Sequence, residues 1–346
     1  MVPTVLTLGP ACWDPTTLGL VIERGHMGVA RINYSHAHDA TDTAFLREKA
    51  GLVRKISAGA GIRVPVFGDT PGWKFRLMSN FNPLVLHHGK QVHISSAPDP
   101  GCLVCPHPEY LELAEIGARI YVGDSNPCLR VIDKKGRVLI CQTEFGDIIK
   151  PGKGLTIEGV RVSSLNLAPL ADGDIPALRA AIEAGAEYLG MSYATRASQF
   201  QIFIDKAREL GAPGNAKFVF KYELGEASED LSAIVRLADV MYVGQGDLSL
   251  SVPYDEVPRH RQMVIDECRR QGKECWVGTG LLSSLVKGHL PSPGEVDGIV
   301  HVRRQGAHRL VLSDEFNSSI NPAKSAEVLM KMIDFADRKA SLSLHA

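Results

Sequence analysis

The sequence of 346 residues lacks any run of about 20 uncharged apolar residues, the length that a membrane helix requires. Its amino terminus also lacks a basic segment followed by an apolar one, which is the pattern of a secretory signal peptide. We therefore expect a cytoplasmic protein with no membrane partner.

An excess of charge of one sign is also missing, because 38 Lys and Arg residues are balanced by 39 Asp and Glu residues. A nucleic-acid-binding surface normally shows a basic excess, so we expect no nucleic-acid partner. The seven cysteines are odd in number and scattered, which indicates free thiols in a reducing compartment rather than a disulfide framework. No Gly-x-Gly-x-x-Gly motif follows a predicted strand, which excludes that dinucleotide fingerprint.

What the sequence does contain is a repeated alternation of short apolar runs and helical patterns, which is typical of a parallel α/β fold. The first 70 residues predict three strands, at Val5 to Leu8, Val29 to Asn33 and Val64 to Phe67, with helices at Leu18 to Arg24 and around Leu46 to Ser57. After Asp172 five more strands are predicted, at Tyr188 to Ser192, Phe218 to Tyr222, Val240 to Val243, Glu274 to Gly278 and Arg309 to Leu312. Eight such strands predict a closed TIM (β/α)8 barrel.

The segment between the two halves of this pattern has a different character. β-Branched residues alternate with polar ones, helical periodicity is absent, and turn sequences such as Pro98-Asp99-Pro100-Gly101 recur. We therefore assign residues 1–72 and 165–338 to the barrel and residues 73–164 to an inserted β-rich domain. Residues 339–346 are expected to form a loosely held tail.

Polar side chains gather at the predicted carboxyl ends of the barrel strands, where such barrels carry their active sites. The set comprises Arg31, Asn33, Ser35, Asp69, Thr70, Ser192, Lys221, Glu223, Gly246, Asp247, Thr279, Ser313 and Glu315. The carboxylates of Glu223 and Asp247 are hard oxygen ligands of the kind that Mg²⁺ or Mn²⁺ prefers. Cations such as Arg31, Lys221 and Arg76 are suited to a phosphate or a developing oxyanion.

Two structural interpretations compete with these functional ones. Lys221, Glu223 and Asp247 would also form an ion pair that closes the mouth of the barrel. The set of Asn33, Ser35, Asp69 and Thr70 would also cap strand-to-helix turns, a role that these residue types favour.

A second candidate metal site lies in the inserted segment. Cys102 and Cys105, with His107, have the spacing of half a zinc site, and His87, His88 and His93 lie nearby in the sequence. A second cysteine pair at short spacing is missing, so a loop with buried thiols is the alternative.

Eight short strings connect this sequence to a known family. They are Thr7-Leu8-Gly9-Pro10-Ala11, Val29-Ala30-Arg31-Ile32-Asn33-Tyr34-Ser35-His36, Gly68-Asp69-Thr70, Lys153-Gly154, Phe220-Lys221-Tyr222-Glu223, Gly246-Asp247-Leu248, Gly278-Thr279-Gly280-Leu281-Leu282 and Leu312-Ser313-Asp314-Glu315. From about Thr4 to Met332 the chain resembles the pyruvate kinases. The resemblance lies in these strings, in their order along the chain and in the position of the inserted segment. The resemblance implies a pyruvate kinase-like phosphotransferase that acts on phosphoenolpyruvate or pyruvate and a nucleotide or another acceptor.

The resemblance also implies roles for individual residues around the substrate. Glu223 and Asp247 would bind Mg²⁺ or Mn²⁺, and Lys221 would neutralise the enolate and the phosphoryl group in transfer. Arg31 would bind the phosphoryl group. The substrate carboxylate would be held by the backbone N–H groups of Gly246 and Asp247 and by the Thr279 hydroxyl. Ser192 would join the substrate-binding set.

In the family the inserted domain is a lid that closes over the nucleotide. The resemblance of the chain to the family implies that Arg76, Asp124 and Lys153 lie in the lid and its hinge. It also implies that His36 and Asn33 lie near the nucleotide or phosphate. Small-molecule substrates and a homo-oligomer are the partners that the resemblance implies.

The sequence departs from the family in ways that affect these expectations. Pro71, Gln245 and Gly280 replace a lysine, an arginine and a glutamine in or beside the active site, which leaves the acceptor substrate open. The chain also ends soon after the last helix of the barrel, where the family normally continues into an effector-binding domain, so the family's allosteric control is not expected.

One further departure concerns a monovalent ion. Asn33, Ser35, Asp69 and Thr70 match the family's potassium ligands, whereas Lys74 stands where potassium-dependent members have glutamate. A fixed ammonium group at this position would replace the ion, so potassium is not expected to be required.

Two other functions remain open. A metal-dependent pyruvate or phosphoenolpyruvate lyase or aldolase would use the same enolate chemistry, but the charged residues of the lid would then serve no nucleotide or phosphate. A non-enzymatic metabolite sensor would have lost the metal or acid–base residues, and this sequence retains them.

Overall fold

A computed structural model describes residues 2–36, 40–123 and 126–342. Within these ranges the strands are β1 (Thr4–Thr7), β2 (Val29–Asn33), β3 (Val66–Asp69), β4 (Leu84–Val85), β5 (Gln91–Ser95), β6 (Cys102–Val104), β7 (Arg119–Val122), β8 (Cys128–Lys135), β9 (Val138–Phe145), β10 (Ile148–Ile149), β11 (Leu155–Ile157), β12 (Tyr188–Met191), β13 (Lys217–Tyr222), β14 (Val240–Gly244), β15 (Glu274–Gly278) and β16 (Arg309–Leu312). The helices are α1 (Pro15–Glu23), α2 (Ala40–Gly59), α3 (Pro108–Leu111), α4 (Asp174–Glu183), α5 (Ala197–Glu209), α6 (Leu231–Leu237), α7 (Gln245–Ser251), α8 (Val257–Gln271), α9 (Pro293–Gln305), α10 (Asp314–Asn317) and α11 (Pro322–Leu342).

Eight parallel strands close into a barrel in the order β1, β2, β3, β12, β13, β14, β15, β16 and back to β1. Strand β3 pairs directly with β12, although about 120 residues separate them, so the insertion leaves and re-enters the barrel between neighbouring strands. Parallel pairing brings all eight carboxyl ends to one rim, where Asn33 lies opposite Asp69. The predicted TIM barrel with an inserted β domain is confirmed.

The barrel strands form because their apolar residues are buried on both faces, which is usual for parallel sheets covered by helices. Inside the barrel, one core layer consists of Val5, Val29, Phe67, Tyr188, Val219, Val240, Tyr242, Trp276 and Val311. A larger core lies between the barrel and its helices. The polar rim therefore rests on a packed apolar floor and does not surround an open channel.

The helices begin and end where local chemistry favours it. Helix α1 starts three residues before the predicted helix because the Asp14 side chain accepts a hydrogen bond from the Thr17 amide at 2.8 Å and Pro15 occupies the first position. Helix α9 starts at a capping box in which Ser292 and Glu295 each bond the other's backbone amide.

The inserted segment folds around a separate apolar core. Its main sheet has six strands in the order β11, β7, β8, β9, β5, β6, and β4 pairs with β10 in a small second sheet. The inserted segment also contains one short helix, α3, a single turn in which Tyr110 and Leu111 are buried. Four residues are too few to produce a helical repeat in the sequence.

Helix α11 continues as far as Leu342 and so includes the first four residues of the segment predicted as a tail. Residues 343–346 lie outside the described part of the chain. In that described part, none of the helices has both the length and the apolar character needed to cross a membrane.

Candidate active site

Asp69, at the end of β3, is the centre of the polar rim and is fully buried. Its Oδ2 atom accepts hydrogen bonds from Arg31 Nη2 at 2.6 Å and Arg31 Nε at 2.8 Å. The other arm of the guanidinium, Nη1, donates to Thr7 Oγ1 at 2.9 Å and to Ser313 Oγ at 3.2 Å. Arg31 is thus fixed by residues from β1, β3 and the end of β16.

Lys221 reaches the same carboxylate from β13. Its Nζ lies 3.1 Å from Asp69 Oδ2, 2.9 Å from Glu223 Oε1 and 2.8 Å from Ser192 Oγ. Ser192 in turn donates to Asp69 Oδ1 or to the Thr70 carbonyl oxygen. Two cations and two carboxylates therefore share one buried cluster.

The electrostatics of this cluster follow from burial and charge. Burial lowers the pKa of the Lys221 ammonium, but the carboxylates of Asp69 and Glu223 outweigh it and leave the pKa raised. Burial raises the pKa of Glu223, and Asp247 and Asp69 add to this effect against the opposing charge of Lys221. The carboxylate of Glu223 consequently gains from any additional cation placed beside it.

Asp247, on the first turn of α7, holds the second carboxylate of the predicted metal pair. Its Oδ1 atom lies 2.7 Å from Nζ of Lys74, and both side chains are about one-fifth exposed. Burial raises the pKa of Asp247, but Lys74 more than compensates, and the pKa is lowered overall. Asp247 is therefore held as an anion by a cation from the inserted segment.

This ion pair gives Lys74 a partner other than the predicted monovalent-ion site. We expected its ammonium beside Asn33, Ser35, Asp69 and Thr70, but in the described part of the chain no hydrogen bond or ion pair joins it to these four. The physical reason is that Arg31 and Lys221 already neutralise Asp69, whereas Asp247 has no other Lys or Arg within ion-pair distance in the described structure. The replacement of potassium by Lys74 finds no support here.

The four residues of the predicted monovalent-ion site behave differently from one another. Asn33 Oδ1 accepts the Ser35 amide at 3.1 Å, which is the capping role considered above. Thr70 is buried, and its hydroxyl has no hydrogen-bond partner of normal geometry among the described residues. Asp69 instead belongs to the buried charge cluster.

The proposed carboxylate-binding residues meet at the next part of the rim. A side chain at Gly246 would approach Thr279 Cγ2 within 2.7 Å, so the turn after β14 lies against the end of β15. Thr279 has a φ of 75°, a left-handed conformation that is uncommon for a β-branched residue. Such conformations are costly and concentrate at functional sites.

Two of the residues predicted to bind the nucleotide or phosphate, Arg76 and Lys153, lie at one corner of the inserted domain. Arg76 pairs with Gly154 in an isolated β-bridge, its Nη1 atom donates to the Gly152 carbonyl oxygen at 3.2 Å, and Lys153 is exposed between them. The amide of Gly123 donates to Gly154, which places the residue before Asp124 at this corner. Asp124 itself and the imidazole of His36 lie outside the described part, although the backbone of His36 ends the turn after β2.

Sequence reasoning missed two contributors to the site. Thr7 belongs to the first of the eight strings but had no predicted role, and its hydroxyl accepts a hydrogen bond from Arg31. Tyr193 follows Ser192, its amide donates to Glu223 Oε2 at 3.3 Å, and its φ is 57°. The only feature of the sequence that pointed to Tyr193 was its position directly after the predicted strand Tyr188 to Ser192.

The donor set fits a divalent metal ion. The carboxylates of Glu223 and Asp247 come from adjacent strand ends and lie on one side of the rim. The side chain of Glu223 packs over Gly244, because a Cβ atom at position 244 would lie 2.9 Å from Glu223 Cγ. Lysine ammonium groups contact both carboxylates, which shows that the position accommodates positive charge. Two protein carboxylates with remaining positions for water and substrate oxygens are typical of magnesium sites.

The predicted half zinc site lies in the inserted domain. Burial raises the pKa of the Cys105 thiol to about 12, and His107 Nδ1 lies 3.2 Å from Glu109 Oε1. Among the described residues no three or more His, Cys, Asp or Glu side chains are grouped so as to hold a metal ion.

The chain matches the family model for the barrel domain of pyruvate kinase over residues 2–326. It is 29% identical to a pyruvate kinase of Mycobacterium intracellulare, over 95% of this chain and 68% of that protein. It is 26% identical to a pyruvate kinase of Agrobacterium vitis, over 96% of this chain and 68% of that protein. A pyruvate kinase of Geobacillus stearothermophilus is 26% identical, over 94% of this chain and 55% of that protein. With its closed barrel, its inserted β domain and this match over nearly all of its length, the chain belongs to the pyruvate kinase family.

Proposed function

We propose that the protein transfers a phosphoryl group between phosphoenolpyruvate or pyruvate and a nucleotide or another acceptor, through an enolate formed at the rim of the barrel. The observation that carries the proposal is the buried cluster in which Arg31 and Lys221 share Asp69, with Glu223 beside them. Phosphoryl transfer depends mainly on positioning and charge neutralisation, which a fixed cluster of this kind provides.

A purely structural role accounts poorly for this cluster. Buried ion pairs are often no more stabilising than apolar side chains of similar volume, and an apolar layer lies directly beneath this one. Arg31 and Lys221 each also lie 5.8 Å from the centre of the Tyr242 ring in that layer. Apolar residues would close the barrel without the cost of burying charge, so retained charge at the rim favours chemistry.

The division of labour follows from the positions of the side chains. Lys221 would stabilise the negative charge that develops on the enolate oxygen, because its ammonium is already fixed by three partners. Arg31 would orient the phosphoryl group, and the turn at Gly246 and Asp247 with Thr279 would hold the substrate carboxylate. Ser192 would keep Lys221 in place.

Glu223 and Asp247 would hold Mg²⁺ or Mn²⁺. The bound ion supplies additional positive charge beside the enolate. Binding through Asp247 Oδ1 would require this oxygen to give up its contact with Lys74, whose ammonium lies 2.7 Å away.

Charged groups of the inserted domain would bind the nucleotide or phosphate. Arg76 and Lys153 lie at one corner of that domain, together with Gly123, the residue that precedes Asp124 in the sequence. Such charged groups have no evident use in a lyase or aldolase without phosphate, which favours the phosphotransferase. We also infer small-molecule substrates, a cytoplasmic location and a homo-oligomer from the family, and light scattering of the purified protein tests the last of these.

Deuterium exchange into the methyl group of pyruvate tests the proposed chemistry. We expect exchange that requires a divalent metal and rises when ATP or inorganic phosphate is present, because the anion completes and desolvates the site. In Lys221→Met the exchange should fall by a factor on the order of 10² to 10³, the usual cost of removing one charge stabiliser.

Lys217→Met provides the matched control, because Lys217 begins the same strand but is exposed at the opposite end of the barrel. Its exchange rate should equal that of the wild type. Fast exchange that is indifferent to ATP and phosphate would contradict the phosphotransferase and favour carbon–carbon chemistry.

A further inference from the structure

Arg261, near the start of helix α8, is a buried cation that faces only neutral partners. Its Nε atom donates to Gln305 Oε1 at 2.9 Å, and its Nη1 atom donates to Gln245 Oε1 at 2.5 Å. In the described part of the chain no Asp or Glu lies within ion-pair distance of it. Burial lowers the pKa of the guanidinium, because no negative charge offsets the loss of water.

The other two buried arginines among the described residues each face a carboxylate. Arg31 bonds Asp69, and Nε of Arg309 lies 3.7 Å from Glu274 Oε2. Burying a charge without an opposite charge is costly, and an apolar side chain would pack the helix without that cost. The unpaired position of Arg261 therefore favours a use for its charge.

The contact with Gln245 brings this charge to the end of β14. Gln245 is the first residue of α7 and directly precedes Gly246 and Asp247, whose amides we propose as donors to the substrate carboxylate. Its Nε2 atom also makes a long hydrogen bond, of 3.5 Å, to the carbonyl oxygen of Thr279. Gln245 thus links Arg261 to both sides of the proposed carboxylate site.

Position 245 is one of the places where the sequence departs from the family, because glutamine replaces an arginine there. The guanidinium of Arg261 reaches the side chain of this glutamine from the neighbouring helix. The turn after β14 therefore still has a cation beside it, although the residue that begins α7 is neutral.

From these contacts we propose that Arg261 is a positioning residue for a carboxylate ligand. It holds Gln245 and with it the turn after β14, and its unpaired charge favours an anion at that turn. This inference rests on the proposed function, because it assumes that the turn binds the substrate carboxylate. Arg261 acts through Gln245, since glutamine oxygens engage both its Nε and its Nη1 atom.

Isothermal titration calorimetry with Mg²⁺ present tests the proposal without any measurement of turnover. Two ligands are compared: phosphoenolpyruvate, which has a carboxylate, and inorganic phosphate, which has none. In Arg261→Gln we expect the dissociation constant of phosphoenolpyruvate to rise about five- to twentyfold, the usual effect of losing one hydrogen bond from a charged group. The affinity for inorganic phosphate should not change, because Arg31 is the proposed phosphate ligand.

Arg259→Gln is the matched control. Arg259 lies on the same helix, two residues before Arg261, but it is exposed and pairs with Glu256. Its affinity for both ligands should equal that of the wild type. If Arg261→Gln weakens both ligands equally, the change acts on the structure as a whole and the proposal is overturned.

The double variant Gln245→Arg/Arg261→Gln exchanges the two partners and keeps one guanidinium and one amide at this contact. We expect it to recover most of the affinity for phosphoenolpyruvate that Arg261→Gln loses. A double variant that binds no better than Arg261→Gln would refute the proposal, because neither the contact nor the charge would then matter.

The wild-type protein separates this inference from the proposed function. If it binds phosphoenolpyruvate and Arg261→Gln binds it equally well, the proposed function stands and the role of Arg261 is refuted. If the wild type does not bind phosphoenolpyruvate with Mg²⁺ present, the proposed function is wrong, and the role of Arg261 fails with it.

Discussion

Lys74 shows most clearly what one side chain changes at this site. Its ammonium lies 2.7 Å from Oδ1 of Asp247, one of the two residues that we propose as metal ligands. If the ion binds through the same oxygen, it must displace Lys74, and the two cations compete.

We predict that Lys74→Met binds Mn²⁺ more tightly than the wild type. A partly exposed ion pair contributes up to about 1 kcal/mol, so its loss should raise the affinity by roughly three- to fivefold. Lys90→Met is a suitable control, because its ammonium bonds a backbone carbonyl of the inserted domain, that of Val85. Weaker Mn²⁺ binding in Lys74→Met would show instead that the lysine supports the metal.

At the residue scale the sequence predicted which side chains gather, but not how they pair. Arg31, Asp69, Lys221 and Glu223 were predicted from their positions at strand ends, because parallel strands bring those ends to one rim. The partner of Lys74 depends on how far a flexible side chain extends across the gap between two domains. The contact of the Tyr193 amide with Glu223 depends on a left-handed turn, which nothing in the residue type of Tyr193 indicates.

Among the elements, the turn before β11 lies against the side chain of Lys74, which reaches from the inserted domain to Asp247. Gly154 pairs with Arg76, and a Cβ atom at position 154 would lie 2.6 Å from Lys74 Cε. The side chain of Lys74 therefore passes directly beneath Gly154 on its way to Asp247.

Gly154→Ala should displace the Lys74 side chain and reproduce part of the effect of Lys74→Met. We expect the Mn²⁺ affinity to rise about two- to fivefold, because the loss of a partly exposed ion pair is worth up to about 1 kcal/mol. Because both changes act on one contact, the double variant should bind no more tightly than Lys74→Met alone. Gly51→Ala in α2 is the control, since its Cβ atom would meet nothing within 4 Å. Full additivity would show that Gly154 acts by another route.

Element boundaries in the barrel were predictable because each strand is an apolar run that ends at polar or glycine residues. Strands β2, β15 and β16 match their predicted bounds, and the other five barrel strands differ by one or two residues at one or both ends. The strand order of the inserted domain was not predictable, since alternating residues indicate a strand but do not identify its neighbour.

At the scale of the whole molecule, the inserted domain has an apolar core of its own, separate from the two cores of the barrel, and this supports the division into two domains. The hinge segments are tied to the barrel, where Glu226 accepts the amides of Val162 and Ser163, and Trp73 donates to the Ala168 carbonyl oxygen at 2.8 Å. The domain boundaries at residues 73 and 164 remain predictions.

Limited proteolysis should cut first within residues 73–164 or at their hinges. The two flanking fragments should then remain associated, because β3 and β12 are neighbours in the closed barrel. Mass spectrometry of the co-eluting fragments measures this result. First cuts spread through the later βα units would count against the division.

The central claim is phosphoryl transfer, and a phosphorus NMR time course tests it most directly. The protein is incubated with phosphoenolpyruvate and Mg²⁺, with and without ADP. With ADP, we predict that the phosphoenolpyruvate signal declines while the signals of a nucleoside triphosphate appear. If the true acceptor is another compound, the signals of its phosphorylated product should appear when that compound replaces ADP. Lys221→Met should abolish the change. Phosphoenolpyruvate that stays intact with every acceptor offered, or that loses its phosphoryl group only as inorganic phosphate, would contradict the account.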